Sequence, residues 1–214
     1  MLKRLITGLI VFFAAGLAQA EPTLGTEFRE LSAPQPADTV GKIEVIEFFW
    51  YGCPHCYNFE PVVEPWAKKL AKDTQFRRVP AVFNDDWGKG ARAYYTLEAI
   101  GELQRLHKPL FDAVHKDGKL NVANEAALTD WLGKQGVDTK KFAAAYRSFS
   151  VEGKVKRAAQ LTQAYKIEGV PTIAVDGKYV VITDNLKSFD QMLAISDFLI
   201  EQARKKGGNA ALKK

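Results

Sequence analysis

The sequence predicts an α/β domain that is interrupted by an α-helical insertion. Two short apolar runs, rich in β-branched and aromatic residues, enclose a helical segment between 43 and 83, which is typical of a strand, a helix and a second strand. Helical patterns then fill 87–166. Beyond them, two short strands flank Asp176-Gly177, a dipeptide typical of a tight hairpin, and a last helix follows. The helical block is therefore interpreted as an insertion into an α/β domain.

The composition is that of a folded protein with a sizeable core. Of the 214 residues, 47% are hydrophobic and 26% are charged, which excludes collagen-like, mostly disordered and multi-span membrane proteins. The formal net charge is +5 at pH 7, and much of the basic excess lies in the C-terminal tail. The basic residues form no stripe mixed with aromatic residues, so we expect no nucleic-acid partner.

Residues 1–20 have the pattern of a secretory signal peptide. Lys3 and Arg4 precede an apolar run from Leu5 to Leu17, and Ala18-Gln19-Ala20 is a small-x-small cleavage pattern. The apolar run is shorter than the roughly 20 residues that a membrane-spanning helix needs. We therefore expect cleavage after this segment and export to an oxidising compartment, in which disulfides persist.

The first part of the α/β domain is expected at 21–86. Its elements are an N-terminal segment at 21–40, a buried strand at 43–50, a helix from 53 to about 72 and a second strand at 76–83. Cys53-Pro54 begins the helix, because proline suits the first helical turn, where its missing N–H has no partner anyway. Pro61 and Pro65 are expected to kink this helix, and Pro80 places the second strand at an edge or near its own end.

The helical insertion is expected at 87–150 and the second part of the α/β domain at 151–204. Within these bounds the pattern indicates helices around 91–100, 110–114, 124–132 and 140–149, a longer helix at 151–165, strands at 172–175 and 178–182, and a last helix from 188 to about 203. The remaining basic tail, 205–214, is expected to be disordered.

The chain has only two cysteines, Cys53 and Cys56, and three uses of them are open. A disulfide between them closes a very small loop and stabilises a fold poorly. A zinc site needs two more ligands, and outside the motif only His107 and His115 are candidates, both expected on helix surfaces or in caps. We therefore expect no metal and no cofactor. Redox chemistry is favoured, because the pair follows a buried strand and begins a helix.

The position of Cys53 favours the thiolate over the thiol. Its sulfur is expected to face the unpaired N–H groups at the positive end of the helix. The helix dipole supplies about 0.3–2 kcal/mol, which explains about one pKa unit at most. Any larger lowering of the Cys53 pKa has to come from direct hydrogen bonds and from His55, which lies between the cysteines. A stabilised thiolate stabilises the reduced dithiol, so the pair is expected to give its disulfide away.

Two motifs give the chain a resemblance to a known family. Cys53-Pro54-His55-Cys56 follows Glu47-Phe48-Phe49, and Gly169-Val170-Pro171-Thr172 stands farther along the chain, in the matching order. Together with the helical block between them, these motifs resemble the DsbA family of thiol oxidases within the thioredoxin superfamily. The resemblance covers essentially the whole chain after residue 20. It implies a thioredoxin fold with an inserted α-helical domain, and a cis-Pro171 loop packed against the cysteine pair.

Position in the helix and the resemblance together give each site residue a role. Cys53 is expected to be the exposed sulfur that a substrate thiolate attacks, and Cys56 to be the buried leaving group. Val170, beside Pro171, is expected to bind an extended substrate strand through its backbone. The resemblance implies that the substrates are reduced, unfolded exported proteins in the periplasm. It also implies a DsbB-like, quinone-linked membrane protein as the partner for reoxidation.

Glu47 is the least expected residue in the first strand, and two interpretations of it stay open. By alternation it shares a face with Phe49. In one interpretation it is a buried carboxylate under the active site that passes a proton to or from Cys56, as the family's buried acid at this place implies. In the other it is a structural carboxylate paired with Arg78 on the neighbouring strand. Glu44, on the opposite face, is expected to be solvated.

Four aromatic residues near the motif also have two interpretations: Trp50, Tyr51, Phe59 and Trp66. They could line a peptide-binding groove, for which Trp50 and Tyr51 are best placed. Packing in the core is commoner for aromatic residues around a strand and a helix, so the core interpretation is favoured.

Two functions compete with that of an exported thiol:disulfide oxidase that donates the Cys53–Cys56 disulfide. One is a disulfide reductase or isomerase of the same superfamily. Isomerases of this kind carry an N-terminal dimerisation module, and the segment before the first strand is too short for one, so a monomer and an oxidase are expected. The other is a non-catalytic binding module whose disulfide is structural.

Overall fold

One mixed five-stranded sheet organises the protein, whose computed structural model describes residues 21–39, 41–118, 120–184 and 186–211. The strands are β1 (Phe28–Glu30), β2 (Ile43–Phe49), β3 (Thr74–Pro80), β4 (Thr172–Val175) and β5 (Tyr179–Val181), in the order β1-β5-β4-β2-β3. β2 runs parallel to β3 and antiparallel to β4, while β5 is antiparallel to both β4 and β1. The strands expected from the sequence are present, and β1 lies in the N-terminal segment, where none is expected.

The helices lie where the sequence places them, and several begin at side-chain caps. Helix α1 (Pro54–Ala67) connects β2 to β3, and the chain between β3 and β4 forms α2 (Asp85–Ala99), α3 (Leu103–His115), α4 (Glu125–Lys134), α5 (Thr139–Tyr146) and α6 (Phe149–Ala164). Backbone N–H groups in the first turns of α2, α4, α5 and α6 donate to the side chains of Asn84, Asn124, Asp138 and Ser148. The predicted α/β class with a helical insertion is confirmed.

Strand β2 is covered on both faces, which explains its continuous apolar sequence. Val45 packs in a cluster with side chains of α1 and of the last helix, α7 (Phe189–Ala211). Ile46 and Phe48 pack instead in the cluster that contains the helical insertion. The strand that leads to the cysteine pair is therefore fixed from both sides.

Glu44 does not follow the prediction that it is solvated. Its side chain is fully buried, and Arg77 of β3 binds its two oxygens at 3.0 and 3.1 Å. The backbone N–H of Asp38 and the hydroxyl of Thr39 donate to the same carboxylate. The prediction is wrong because side chains of the helical insertion pack on one face of β2 and those of α1 and α7 on the other, so neither face meets solvent.

The C-terminal ends of α1 and β3 lie earlier in the chain than predicted. Helix α1 continues through Pro61 and Pro65 but ends at Ala67 rather than near residue 72. Strand β3 ends at Pro80 rather than at residue 83, because Pro80 pairs with Phe49, the last residue of β2. As predicted, the strand that carries this proline lies at an edge of the sheet.

The basic tail is helical over part of its predicted disordered length. Helix α7 continues to Ala211, so the prediction of disorder is wrong for 205–211. Lysine and alanine are good helix formers, and Lys206 Nζ donates to the hydroxyl of Tyr179 at 2.6 Å. Residues 212–214 and the predicted signal peptide lie outside the described residues. Within the described part of the chain, the helices are too short or too polar to cross a membrane.

The hairpin between β4 and β5 turns at Asp176-Gly177, as predicted. Both residues have positive φ angles, 56° and 65°, as a type I′ turn requires. A Cβ on Gly177 would lie 2.0 Å from the carbonyl oxygen of Gln35, whose N–H donates to the Gly177 carbonyl at 2.7 Å. The turn needs glycine both for its conformation and for the close approach of the N-terminal segment.

Gly177→Ala is expected to destabilise the protein more than Gly136→Ala. Both glycines have positive φ, 65° and 79°, but a Cβ on Gly136 meets no atom of the described residues within 4 Å. Positive φ destabilises an alanine by about 1 kcal/mol, and the clash with Gln35 adds about 1–3 kcal/mol. Urea unfolding of both variants measures the difference. Equal losses would mean that the N-terminal segment moves aside freely.

Candidate active site around the cysteine pair

The cysteine pair lies where β2 ends and α1 begins. The N–H of Cys53 donates to the carbonyl of Trp50 at 3.0 Å, and Cys53 is the N-cap residue of α1, followed by Pro54. The turn before it needs Gly52, because a Cβ there would lie 2.4 Å from the ring of Trp50. The strand, the turn and the helix start thus hold the Cys53 sulfur at the N-terminus of α1, as the sequence predicts.

The two sulfurs differ in exposure, and both are free thiols in this structure. Cys53 is 8% exposed, whereas Cys56 is fully buried. The burial of Cys56 is as predicted, but Cys53 is less exposed than expected, because the loop before β4 packs against it. Cys53 is still the residue of the pair that has surface open to solvent.

Hydrogen bonds make Cys53 the more acidic member of the pair. The side chain of Cys56 contributes most, the backbone N–H groups of Cys56 and His55 also donate to the sulfur, and the charge of His55 adds to them. Against the opposing effect of burial, they lower the Cys53 pKa from 9.0 to about 6. Burial, followed by the bond to Cys53, raises the pKa of Cys56 well above its ordinary value. The two thiols therefore differ strongly in acidity.

The loop before β4 packs on the other side of Cys53. The Val170–Pro171 peptide bond is cis, as predicted, and the Cys53 thiol donates to the carbonyl oxygen of Val170 at 3.3 Å. Thr172 Oγ1 donates to the Gly169 carbonyl at 2.8 Å, which closes the loop. Val170 and Pro171 also line a cleft of about 490 Å³, together with His55, Phe189 and Met192.

Glu47 lies on β2 with its side chain fully buried. Arg78 Nε of β3 donates to its Oε2 at 3.0 Å, so the pairing that one interpretation predicts is present. Its Oε1 is buried and has no hydrogen-bond partner among the described residues. Burial raises the Glu47 pKa from 4.5 to about 8, although Arg78 acts in the opposite direction. The Glu47 charge in turn contributes to the raised pKa of Cys56, so the two groups interact.

Arg78 joins Glu47 to two further carboxylates that the sequence motifs do not indicate. Its Nη2 donates to Oε2 of Glu60 and to Oε2 of Glu64, each at 3.1 Å. Both acids lie on α1 at a spacing of four residues from each other, and Glu60 is four residues after Cys56. This spacing puts them on the helix face that carries Cys56, and it is the signal that could have identified them.

His107 is buried, so the prediction of a surface or cap position is wrong. Its Nε2 lies 3.2 Å from Glu60 Oε1, and its Nδ1 lies 2.8 Å from the hydroxyl of Tyr51. Burial lowers the His107 pKa, although Glu60 acts in the opposite direction. Helical periodicity could have shown this, because His107 precedes Phe111 by four residues on the apolar face of α3. His115, in the last turn of α3, contacts the Tyr51 carbonyl through Nε2 at 2.7 Å.

The aromatic residues mostly follow the core interpretation. Tyr51 and Phe59 are buried, and the indole N–H of Trp66 donates to a side chain of α7. Trp50 is partly exposed and stacks on Trp87 of α2 with 4.2 Å between ring centroids. A role in peptide binding therefore stays a prediction for Trp50.

Comparison with known proteins places the chain among thiol:disulfide interchange proteins. A family model described as a DSBA-like thioredoxin domain matches residues 66–194. The thiol:disulfide interchange protein DsbA of Burkholderia cepacia is 43% identical over 96% of this chain and 99% of its own length. The protein of the same name from Pseudomonas aeruginosa is 43% identical over 87% of this chain and 89% of its own length.

Solved structures give the same result. The crystal structure of Pseudomonas aeruginosa DsbA matches with a TM-score of 0.82 and 42% identity, over 90% of this chain and 97% of that one. The oxidoreductase DsbA from Xylella fastidiosa matches with a TM-score of 0.81 and 33% identity, over 87% of this chain and 100% of that one. These similarities confirm the thioredoxin fold with a helical insertion that the motifs imply.

Cys56→Ala is expected to raise the pKa of Cys53, because it removes the side-chain hydrogen bond that contributes most to the lowering. Cys56→Ser is the matched control, since its hydroxyl is still a donor. Each variant retains one thiol, so the ultraviolet absorbance of the thiolate against pH reports Cys53 alone. We expect the alanine variant to titrate about one pH unit above the serine variant. Equal midpoints would assign the lowering to the backbone N–H groups.

Proposed function

Because the chain belongs to the DsbA family of thiol:disulfide oxidoreductases, we propose that it is an exported oxidase that donates its Cys53–Cys56 disulfide to other proteins. The observation that carries the proposal is the asymmetry of the pair: the pKa of Cys53 is lowered and that of Cys56 is raised. A thiolate stabilised at the start of α1 stabilises the dithiol relative to the disulfide. The disulfide is therefore transferred to substrates rather than retained.

The exchange takes place at Cys53 in two displacements. A substrate thiolate attacks Cys53 Sγ and forms a mixed disulfide, and the electron pair of the broken bond leaves with Cys56. A second substrate thiolate then attacks the substrate sulfur of the mixed disulfide and expels Cys53 as a thiolate. The substrate loses two electrons and gains a disulfide, while the protein becomes the dithiol. The low pKa of Cys53 makes it a good leaving group in the second displacement.

Val170 and Pro171 hold the substrate beside Cys53 in this proposal. The Val170 carbonyl lies 3.3 Å from the Cys53 sulfur, so a substrate strand that pairs with the Val170 backbone brings its own cysteine next to that sulfur. The adjoining cleft of about 490 Å³ offers apolar contacts from Phe189 and Met192. Main-chain pairing suits an enzyme with many substrates, because it does not depend on the substrate's side chains.

Glu47 supplies a proton to Cys56 in the first displacement. The departing Cys56 thiolate is strongly basic, because its burial raises the pKa of the thiol. Glu47, with a pKa of about 8, holds a proton at neutral pH. Transfer of that proton leaves Cys56 as a thiol and Glu47 as a carboxylate bound to Arg78, and it prevents Cys56 from re-forming the disulfide.

The oxidase works in the periplasm in this proposal. The signal-peptide pattern at 1–20 supports export, and exported proteins that arrive reduced and unfolded are the proposed substrates. After each turnover the dithiol has to be reoxidised, and the proposed partner is a DsbB-like, quinone-linked membrane protein. The proposed working form is a monomer.

The reduced protein is expected to be more stable than the oxidised protein at pH 7. The Cys53 pKa is lowered in the folded dithiol, so its contribution is fully present above about pH 9.0 and is lost as the pH falls through about 6. The oxidised protein has no thiol to titrate, so the difference should shrink on the acid side. Denaturant unfolding of both forms at several pH values measures it. A more stable oxidised form would indicate a reductase or a structural disulfide.

Glu47→Gln is expected to slow the oxidation of a reduced peptide by about a hundredfold, near the low end of what a general acid contributes. Glutamine cannot give Cys56 a proton. Glu44→Gln is the matched control, because Glu44 is equally buried and bound to an arginine of β3 but lies on the other face. Stopped-flow tryptophan fluorescence measures both rates, and Cys53→Ser, which lacks the attacked sulfur, should not react. Equal slowing by both glutamine variants would refute the relay.

The stability of the oxidised protein should also depend on pH through Glu47. Its pKa is raised from 4.5 to about 8 by folding, so its contribution is present below about pH 4.5 and is lost as the pH rises through about 8. We expect the stability of the wild type to fall across this window more steeply than that of Glu47→Gln. Urea unfolding across the window measures both slopes, and parallel slopes would show that Glu47 is ionised throughout.

A further inference from the structure

A continuous hydrogen-bond chain links Tyr51 to Glu47. The Tyr51 hydroxyl lies 2.8 Å from His107 Nδ1, and His107 Nε2 lies 3.2 Å from Glu60 Oε1. Glu60 Oε2 accepts from Arg78 Nη2 at 3.1 Å, and Arg78 Nε donates to Glu47 Oε2 at 3.0 Å. The function proposed above uses only the Glu47 end of this chain, so the role of the His107 end remains to be assigned.

The carboxylates around Arg78 outnumber the cations. Glu47, Glu60 and Glu64 all bind this one guanidinium, and among the described residues Glu64 alone has a lysine as well, Lys68 at 3.1 Å. Buried negative charge in excess is relieved by binding a proton. Glu47 and Glu60 are the two buried candidates for holding it, and Glu47 is the one whose charge acts on Cys56.

The donors and acceptors of the chain identify the ionised member. An ionised Glu60 only accepts, so it takes a hydrogen from His107 Nε2, and the neutral ring then accepts at Nδ1 from the Tyr51 hydroxyl. A proton on Glu60 Oε1 would reverse both bonds and leave the Tyr51 hydroxyl without an acceptor among the described residues. A proton on Glu60 Oε2 would face Arg78, which is itself only a donor. Both alternatives are disfavoured in a buried site.

We propose that His107 is a positioning residue that holds Glu60 as a carboxylate and thereby places the shared proton on Glu47. The proposal rests on the relay role of Glu47 proposed above. It assigns the proton to Glu47, whose Oε1 has no donor among the described residues and is therefore less costly to bury in a neutral carboxyl group than in a carboxylate. His107 itself transfers no proton, and its contribution is the Nε2–H bond to Glu60.

The groups around His107 are consistent with a neutral ring. They are Glu60 and Glu64 from α1, Arg78 from β3, Tyr94 from α2, Lys108 from α3 and Tyr51 from the loop after β2. Burial lowers the His107 pKa more than the Glu60 carboxylate raises it. A cavity of about 330 Å³ lies between Glu60, His107 and Lys108, whose side chain is largely exposed.

Two variants distinguish the roles of the two nitrogen atoms in the His107 ring. Glutamine places its amide near the position of Nε2 and retains a donor for Glu60, whereas asparagine is shorter and retains only the contact with Tyr51. Carbon NMR of the carboxyl groups in the oxidised protein, assigned with Glu47→Gln and Glu60→Gln, follows the titration of Glu47. We expect Glu47 to titrate at the same pH in His107→Gln as in the wild type. In His107→Asn we expect Glu47 to titrate about one pH unit lower.

The proposal would be overturned if Glu47 titrated in His107→Asn at the same pH as in the wild type, or if both His107 variants shifted its titration equally. It would also be overturned if adding His107→Asn to Glu60→Gln shifted the titration of Glu47 further. Nitrogen NMR of the wild-type ring needs no variant; the Nε2–H tautomer is expected, and the Nδ1–H tautomer would refute the proposal even if the variants do not fold. Neither measurement involves turnover. If the titrations were as expected but Glu47→Gln oxidised the peptide at an unchanged rate, the proton relay would be refuted and the role of His107 would stand.

Discussion

The hydrogen bonds that the start of α1 directs at the Cys53 sulfur are the interaction on which the rest of the site depends. An N-cap side chain normally satisfies free N–H groups with a neutral hydroxyl or a carboxylate. Here a cysteine holds that position, so the cap becomes strongest when the sulfur is an anion. A disulfide sulfur is neutral and a weaker acceptor. Reduction of the pair therefore strengthens the cap of its own helix, and this difference favours transfer of the disulfide to a substrate.

Strand β2 carries two buried glutamates that differ in their hydrogen bonding. Both oxygens of Glu44 accept hydrogen bonds, from Arg77 and from two groups of the preceding segment. Glu47 has one oxygen bound to Arg78 and one without a partner among the described residues. A buried carboxylate is stable as an ion only when its oxygens are satisfied. Because both side chains are fully buried, the number of donors is what distinguishes the fully paired Glu44 from Glu47, whose unpartnered oxygen adds to the effect of burial.

The sequence predicts the parts of the site that depend on local rules. The start of α1 at Cys53-Pro54, the Asp176-Gly177 turn and the burial of Cys56 follow from helix and hairpin chemistry, and all are present. The motif resemblance adds the cis-Pro171 loop, which spacing alone would not have given. The burial of Glu44 depends on which elements cover the two faces of β2, and that is a matter of tertiary packing. For the same reason, the contact of Glu60 with Arg78 and His107 could not be derived from one strand or one helix.

The unequal acidity of the thiols fixes how many protons accompany the electrons. Between the Cys53 pKa of about 6 and the raised pKa of Cys56, the reduced pair is one thiolate and one thiol. Reduction in this range takes up two electrons and one proton, so the potential falls by about 30 mV per pH unit, and by about 60 mV per unit on the acid side, where both thiols are protonated. That single proton belongs to Cys56, the sulfur that solvent does not reach. The burial of Cys56 therefore calls for an internal acid, and the proposed relay meets this need with the proton that burial, together with the carboxylates around Arg78, holds on Glu47.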